Sequence, residues 1–177
     1  MESSLDEPCR VRLDREVPQG DYIFGNLADV AHLIFRRNKA ANHLARSVLC
    51  KTRTALIENN EFYGSTGTAV NISAESNFGE GIPVDGVTVR RNKFISCGEW
   101  GHGTINSAAA VAANVVADDE TACGVHKNLT IEDNEVICTG GYAKHGFSIR
   151  NTAARSFAAT AFRDLTMRMS RCCIPRT

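Results

Sequence analysis

The chain has no surplus charge, no long apolar run, no secretory leader and no cysteine framework, and each absence removes a class. Twenty basic side chains balance twenty acidic ones, for a formal net charge of zero, so no global field draws the molecule to nucleic acid or to an anionic membrane. Neither is an expected partner. No apolar stretch nears the ~20 residues needed to span a bilayer. The first twenty residues, MESSLDEPCRVRLDREVPQG, mix both charge signs and lack the basic start and apolar middle of a signal peptide. As it stands the chain reads as cytoplasmic, or as secreted or periplasmic if the true N-terminus lies upstream. The seven cysteines are odd in number and form no C-x-x-C pattern, which argues against disulfide staples and against a zinc or redox centre. No metal and no cofactor is expected.

What the chain does have is one decapeptide written four times: LIFRRNKAAN at 33–42, ALIENNEFYG at 55–64, VTVRRNKFIS at 87–96 and LTIEDNEVIC at 129–138. Aligned, the copies place Leu33, Ala55, Val87 and Leu129 first and Phe35, Ile57, Val89 and Ile131 third, with Arg36, Glu58, Arg90 and Glu132 fourth. That is the period of two expected of a short strand with one buried face. The sixth position is always asparagine, at Asn38, Asn60, Asn92 and Asn134. Asparagine tolerates left-handed backbone and bonds its own neighbourhood, so it is expected to end each strand and turn the chain. The eighth position, Ala40, Phe62, Phe94 and Val136, returns to a core. Cys50, Cys97 and Cys138 fall at the ends of repeat strands, where a thiol serves as a small apolar group. The adjacent Cys172 and Cys173 have no place in the repeat.

The copies begin 22, 32 and 42 residues apart, a range that signals a solenoid, propeller or array. Leucine-rich and propeller patterns are missing. A strand, an asparagine turn, an apolar re-entry and a further strand (SVLC at 47–50, AVNI at 69–72, FSIR at 147–150) fit one rung of a right-handed parallel β-helix of about five rungs. Stacked rungs lie ~4.8 Å apart, so the four asparagines form a ladder and the aliphatic side chains share one interior. Residues 21–152 are expected to form this solenoid, 1–20 an extension or remnant, and 153–177 a degenerate capping rung, with LTMRMS at 165–170 in register, or an unrelated tail. The unequal intervals imply growing loops, about ten extra residues near 74–86 and about twenty within 98–128, which build one wall of a groove or cover the stack. Uncapped ends would leave strand edges open to self-association.

The run from 42 to 98 resembles right-handed parallel β-helices of the pectate-lyase-like superfamily, and is most similar to the later rungs of bacterial α-1,3-galactosidase-like glycoside hydrolases. An N-x-x-A-R-x-x-L segment there precedes the I-E-N-N-x-F strand, matched by Asn42, Ala45, Arg46 and Leu49. An acidic, aromatic-containing loop follows, matched by Glu75, Asn77, Phe78 and Glu80. The resemblance implies a carbohydrate-active protein, part of a glycoside hydrolase acting on galactose-containing or related glycans, with an oligo- or polysaccharide as partner. Such hydrolysis by inversion needs two carboxyl groups ~6.5–9.5 Å apart, and the family's acidic cluster lies on rungs before the matched part. Within this chain, Glu75 and Glu80 and the run Asp118, Asp119 and Glu120 are the carboxylates available to substitute. Arg46, Glu75, Asn77, Trp100 and His102 are the candidate sugar contacts. Trp100, the one tryptophan, would either stack on a sugar ring or cap the core. The GHG at 101–103 has its aspartates after rather than before the histidine, unlike polygalacturonases, and His126 and His145 match no zinc spacing; both histidines are expected in ordinary hydrogen bonds. A non-catalytic carbohydrate-binding or adhesin-like β-helix is the competing reading. A polyuronate lyase using Lys144 or Arg53 and calcium is a third.

Overall fold

In a computed structural model the described residues are 32–98, 109–117, 122–139, 145–158 and 160–163. The fourteen strands among them run in chain order around a flattened coil. They are β1 (His32–Arg36), β2 (Lys39–Ala41), β3 (Val48–Cys50), β4 (Thr54–Glu58), β5 (Glu61–Tyr63), β6 (Val70–Glu75) and β7 (Asp85–Arg90), followed by β8 (Lys93–Ile95), β9 (Ala109–Val116), β10 (His126–Glu132), β11 (Glu135–Ile137), β12 (His145–Ile149), β13 (Thr152–Ala158) and β14 (Ala161–Arg163). Every third strand pairs with the next in parallel. The first sheet is β1-β4-β7-β10-β13, the second β2-β5-β8-β11-β14 and the third β3-β6-β9-β12. The molecule is therefore a parallel β-helix of about five rungs.

Register follows the sequence repeat. Leu33, Ala55, Val87 and Leu129 stand opposite one another, as do Phe35, Ile57, Val89 and Ile131, and all eight belong to the core or pack on it. In the second sheet Ala40, Phe62, Phe94, Val136 and Phe162 align. The rings of Phe62 and Phe94 stack with centroids 5.1 Å apart, and Phe35 extends the pile at 6.2 Å from Phe62. Val48, Val70, Val111 and Phe147, then Cys50, Ile72, Ala113 and Ile149, close the interior from the third sheet. Each rung must present the same inward pattern to the next, which is why the decapeptide recurs. Cys50, Cys97 and Cys138 are buried, and burial above all pushes the Cys50 thiol up.

Outward positions form charge columns. Arg36, Glu58, Arg90 and Glu132 succeed one another in register, with Arg90 2.9 Å from Glu58 and 4.0 Å from Glu132. Lys39, Glu61, Lys93 and Glu135 do the same on the second sheet, with contacts of 3.7 and 3.6 Å. In a parallel, in-register stack identical neighbours would repel, and alternating sign from rung to rung removes that penalty.

The asparagine ladder is built as the repeat implies. The Oδ1 of Asn60 accepts from the backbone N–H and Nδ2 of Asn38, that of Asn92 from Asn60, and that of Asn134 from Asn92, at 2.9–3.3 Å. Each of Asn60, Asn92 and Asn134 also donates through Nδ2 to a carbonyl of the preceding rung, Phe35, Ile57 and Val89 respectively. The expected left-handed asparagine is displaced by one residue: Arg37, Asn59, Arg91 and Asp133, just before the ladder, take φ of 52–58°. The turn is thus paid in backbone strain by the neighbour, and the ladder side chain offsets it by filling the hydrogen bonds of the corner.

Two further expectations are corrected. The apolar re-entry after each asparagine is itself a strand, so a rung has three strands, one in each sheet. The segment 98–128, expected as one loop, contains β9, an eight-residue strand in which four alanines blur the apolar alternation that marks a strand. The fifth rung begins at Thr152, where β13 pairs with β10, and continues through β14, within the residues expected to hold a degenerate capping rung or an unrelated tail. LTMRMS, Cys172 and Cys173 lie outside the described residues.

Candidate functional site

Corner length locates the site. Between the first and second sheets the four corners described throughout turn in two residues: 37–38, 59–60, 91–92 and 133–134. Between the second and third the connections are 42–47, 64–69, 96–108 and 138–144; between the third and the next rung they are 51–53, 76–84, 117–125 and 150–151. All variable chain therefore flanks the third sheet, on both sides. Loops of changing length on a constant scaffold are where binding groups are carried. A shallow groove of about 410 Å³ does run along the two-residue corner, past Arg37, Lys39, Asn59, Glu61, Arg91 and Lys93, but Lys39 and Lys93 are paired there.

The outer face of the third sheet carries a group of buried polar side chains on β6 and β9, beside the exposed Leu49. Alternation points Asn71, Ser73 and Glu75 away from the core that Val70 and Ile72 enter. Register sets Leu49, Asn71, Ala112 and Ser148 in one row, Ser73 beside Asn114 in the next, and Glu75 beside Val116 beyond. Asn71 is 0% and Asn114 1% exposed. Along β6 the amide of Asn71 donates to the Ser73 hydroxyl at 3.1 Å, and Ser73 donates to Glu75 Oε1 at 2.7 Å. Lys51 Nζ then bridges Glu75 Oε2 at 3.0 Å and Glu80 Oε2 at 2.6 Å. Glu75 and Glu80 also bond each other through their backbones, closing a hairpin around the short 3-10 turn Ser76–Phe78.

Electrostatics fix the charge states. Burial alone would raise the Glu75 carboxyl, but the Ser73 hydroxyl, Lys51 and the longer-range charge of Arg46 outweigh it and leave it below the ordinary range. Partial burial alone would lower Lys51, yet Glu80 and Glu75 together hold it above the usual lysine value. Glu75 is an ionised acceptor at neutral pH, with no proton to give. Behind the face, fully buried His126 opens β10. Its Nδ1 accepts from Val84 N–H at 3.3 Å, so Nε2 carries the proton and donates to the Asn114 carbonyl at 2.8 Å, anchoring β9 where Asn114 projects. Burial chiefly lowers its pKa, against a smaller opposing effect of the Asn114 carbonyl.

Of the residues singled out from sequence, Glu75 and Glu80 come together at the end of β6, whereas Arg46 precedes β3 and reaches Glu75 only as a longer-range charge. Glu75 is the last residue of β6 rather than a loop residue, and the Glu80 side chain is 62% exposed. Asn77 is exposed in the 3-10 turn between them. Asp118, Asp119, Glu120, Trp100, His102 and Lys144 lie outside the described residues. Sequence reasoning passed over Lys51, Asn71, Ser73 and Asn114. The available signal was an asparagine inside each of two apolar strand sequences, VNIS and AANVV, where a strand interior disfavours it. Among the described residues no three His, Cys, Asp or Glu side chains gather to hold a metal ion.

Fold and site together define a parallel β-helix with a polar cluster on the outer face of one of its three sheets. No protein-family model matches the chain. It is similar to a protein named α-1,3-galactosidase A from Bacteroides thetaiotaomicron, with 31% identity over 137 residues, covering 76% of this chain and 22% of the relative. A second α-1,3-galactosidase A, from Peterkaempfera griseoplana, is 29% identical over 164 residues, covering 87% of this chain and 20% of the relative. The chain thus spans about a fifth of the length of these curated relatives.

Proposed function

We propose that the chain is a carbohydrate-active β-helix of the pectate-lyase-like kind, part of a glycoside hydrolase acting on galactose-containing glycans. The observation that carries this reading is the similarity to two proteins named α-1,3-galactosidase A over most of the chain, together with the parallel β-helix architecture. The partner is an oligo- or polysaccharide. The test is incubation of the purified chain with α-1,3-linked galactosides and, separately, with polyuronates, followed by analysis of released sugar. Release from the galactosides that is lost in Glu80→Ala or Asp119→Ala supports a hydrolase; release from polyuronates alone overturns the galactoside reading.

A second reading, a non-catalytic carbohydrate-binding β-helix, is favoured by one observation. Glu75 and Glu80 share a single ammonium, and Glu75 is held ionised, whereas a glycosidase pair needs one protonated acid and open space between its carboxyl groups. Saturable binding of a galactoside without turnover supports this module. Self-association through strand edges belongs to either reading, and a single monomeric species in sedimentation velocity across a concentration series counts against it.

A further inference from the structure

The corner between the first and second sheets carries charge that the fold does not use. Its tips are Arg37, Asn59, Arg91 and Asp133, all exposed and all in left-handed backbone with φ of 52–58°. Asparagine and aspartate suit that backbone, whereas the long arginine side chain makes no local bond to offset the crowding at Cβ. Arginine nevertheless fills two of the four tips. The ion pairs of this corner run beside the tips, from Arg90 to Glu58 and Glu132, from Lys39 to Glu61 and from Lys93 to Glu135. They leave the guanidinium groups of Arg37 and Arg91 without a partner among the described residues. Unfavourable backbone that the fold does not compensate is a pointer to function.

The same residues line an open groove of about 410 Å³ over the first three rungs, where Arg37, Lys39, Arg91 and Lys93 face a single carboxylate, Glu61. Rungs stand ~4.8 Å apart, so the two arginines lie one step either side of Asn59. An arginine side chain is longer than that step, and both guanidinium groups can meet over the asparagine. Lys39 and Lys93 flank the point in exposed glutamate contacts of 3.7 and 3.6 Å, which are weak and readily exchanged. Arg36, opposite Glu58 in register, adds a cation beside the first tip. The other carboxylates are engaged or lie past the groove: Glu58 and Glu132 on Arg90, Glu135 on Lys93 and Arg163, and Asp133 one rung beyond Arg91.

We infer that Arg37 and Arg91 bind a tetrahedral oxyanion, the sulfate or phosphate ester of a glycan lying along the corner. Each guanidinium offers a fork of two parallel N–H donors. A carboxylate has oxygens enough for one fork; a tetrahedral group has enough for two, and its charge is shared by the flanking lysines. The anion is an isolated substituent rather than one of a continuous series, because the fourth rung presents Glu132, Asp133 and Glu135 and would repel a polyanion. That also disfavours a nucleic acid, whose phosphates need a broad positive field. The oxyanion site stands apart from the third sheet and does not depend on the proposed activity; only the glycan as its carrier rests on the carbohydrate reading.

The test uses the full chain with inorganic sulfate and phosphate, a sulfated galactan oligosaccharide and its desulfated form, an oligogalacturonate and a single-stranded oligonucleotide, read by calorimetric titration and thermal melting. The sulfated oligosaccharide should bind, less tightly as salt is raised. Arg37→Asn and Arg91→Asn should each weaken that binding by about tenfold, the loss of charged hydrogen bonds. Both should leave the melting temperature of the free protein unchanged or higher, since Asn59 already occupies the same bend. Asp133→Asn removes the carboxylate one rung beyond Arg91 and should strengthen binding. Binding unchanged in the double arginine variant overturns the site. A melting temperature lowered by several degrees in both single variants overturns it too, because the arginines then serve the fold. Equal affinity for the desulfated form overturns the need for an oxyanion, and equal affinity for the oligogalacturonate overturns the preference for a tetrahedral one. Tighter binding of the oligonucleotide, or of the inorganic anions alone, overturns the glycan as carrier. Inorganic anions held with the same arginine dependence support the site even in a chain that neither binds nor cleaves a galactoside, so its fate is separate from that of the proposed activity; a chain that binds none of these anions overturns it.

Discussion

Asn92 shows how much one side chain does in this architecture. It accepts from the backbone and side chain of Asn60 and donates to Ile57 O and Asn134 Oδ1, all at 2.9–3.1 Å and in a buried corner. Asn92→Ala strips partners from both adjacent rungs and should cost about 3 kcal/mol, read as a lowered urea midpoint. Asn38→Ala, at an exposed position of the ladder, should cost distinctly less. His126 yields a prediction in pH. Its native pKa lies below the ordinary 6.5, mainly because of burial, so the unfolded chain takes up a proton that the folded chain refuses. Stability is therefore complete above about pH 6.5 and declines below it, by up to about 1.4 kcal/mol per pH unit. Urea titrations at pH 7.0, 6.0 and 5.0 should show that decline, and His126→Gln should flatten it. The ladder was legible from the sequence because asparagine recurs at one fixed position. His126 was not, since a single histidine has no periodicity and its burial depends on strands that are distant in the chain.

At the level of the element, stacking of like on like is the recurring solution, with opposite requirements inside and out. Inside, identical residues are favourable, as in the pile of Phe35, Phe62 and Phe94. Phe62→Ala removes the middle ring and should cost about 4 kcal/mol, measured by chemical denaturation, with Phe62→Leu retaining much of that. Outside, identity is penalised, and Arg90 separates Glu58 from Glu132. Arg90→Glu would place three carboxylates in succession and should cost about 1 to 2 kcal/mol, an effect that shrinks as salt is raised because the column is partly solvated. The first two sheets could be read from the sequence because their strands lie inside the decapeptide. The third sheet was legible at β3, β6 and β12, where aliphatic residues alternate, and hidden at β9, where AAVAANVV is too alanine-rich to show a period. The candidate site suffered most from that loss, since Asn114 lies on β9.

Across the whole molecule, each rung touches chiefly its neighbours, so stability accumulates along one axis. All strand partners are at least 22 residues apart, as with His32 and Thr54, which makes folding dependent on non-local pairing and slow for a chain of this size. The sequence intervals had already indicated that extra chain leaves the stack sideways. They did not say at which corner, because an interval counts residues without locating them on the coil. Among the described residues the first corner keeps two residues, and the connections of changing length are those that begin or end at a strand of the third sheet.

The invariant two-residue corner separates height from length. Any stretch of chain that keeps one asparagine at that bend adds a single storey, whatever ornament it carries elsewhere. Duplicating residues 54–84 in tandem after position 84 should therefore raise the tower by one floor, about 4.8 Å, and leave the floors above and below as they were.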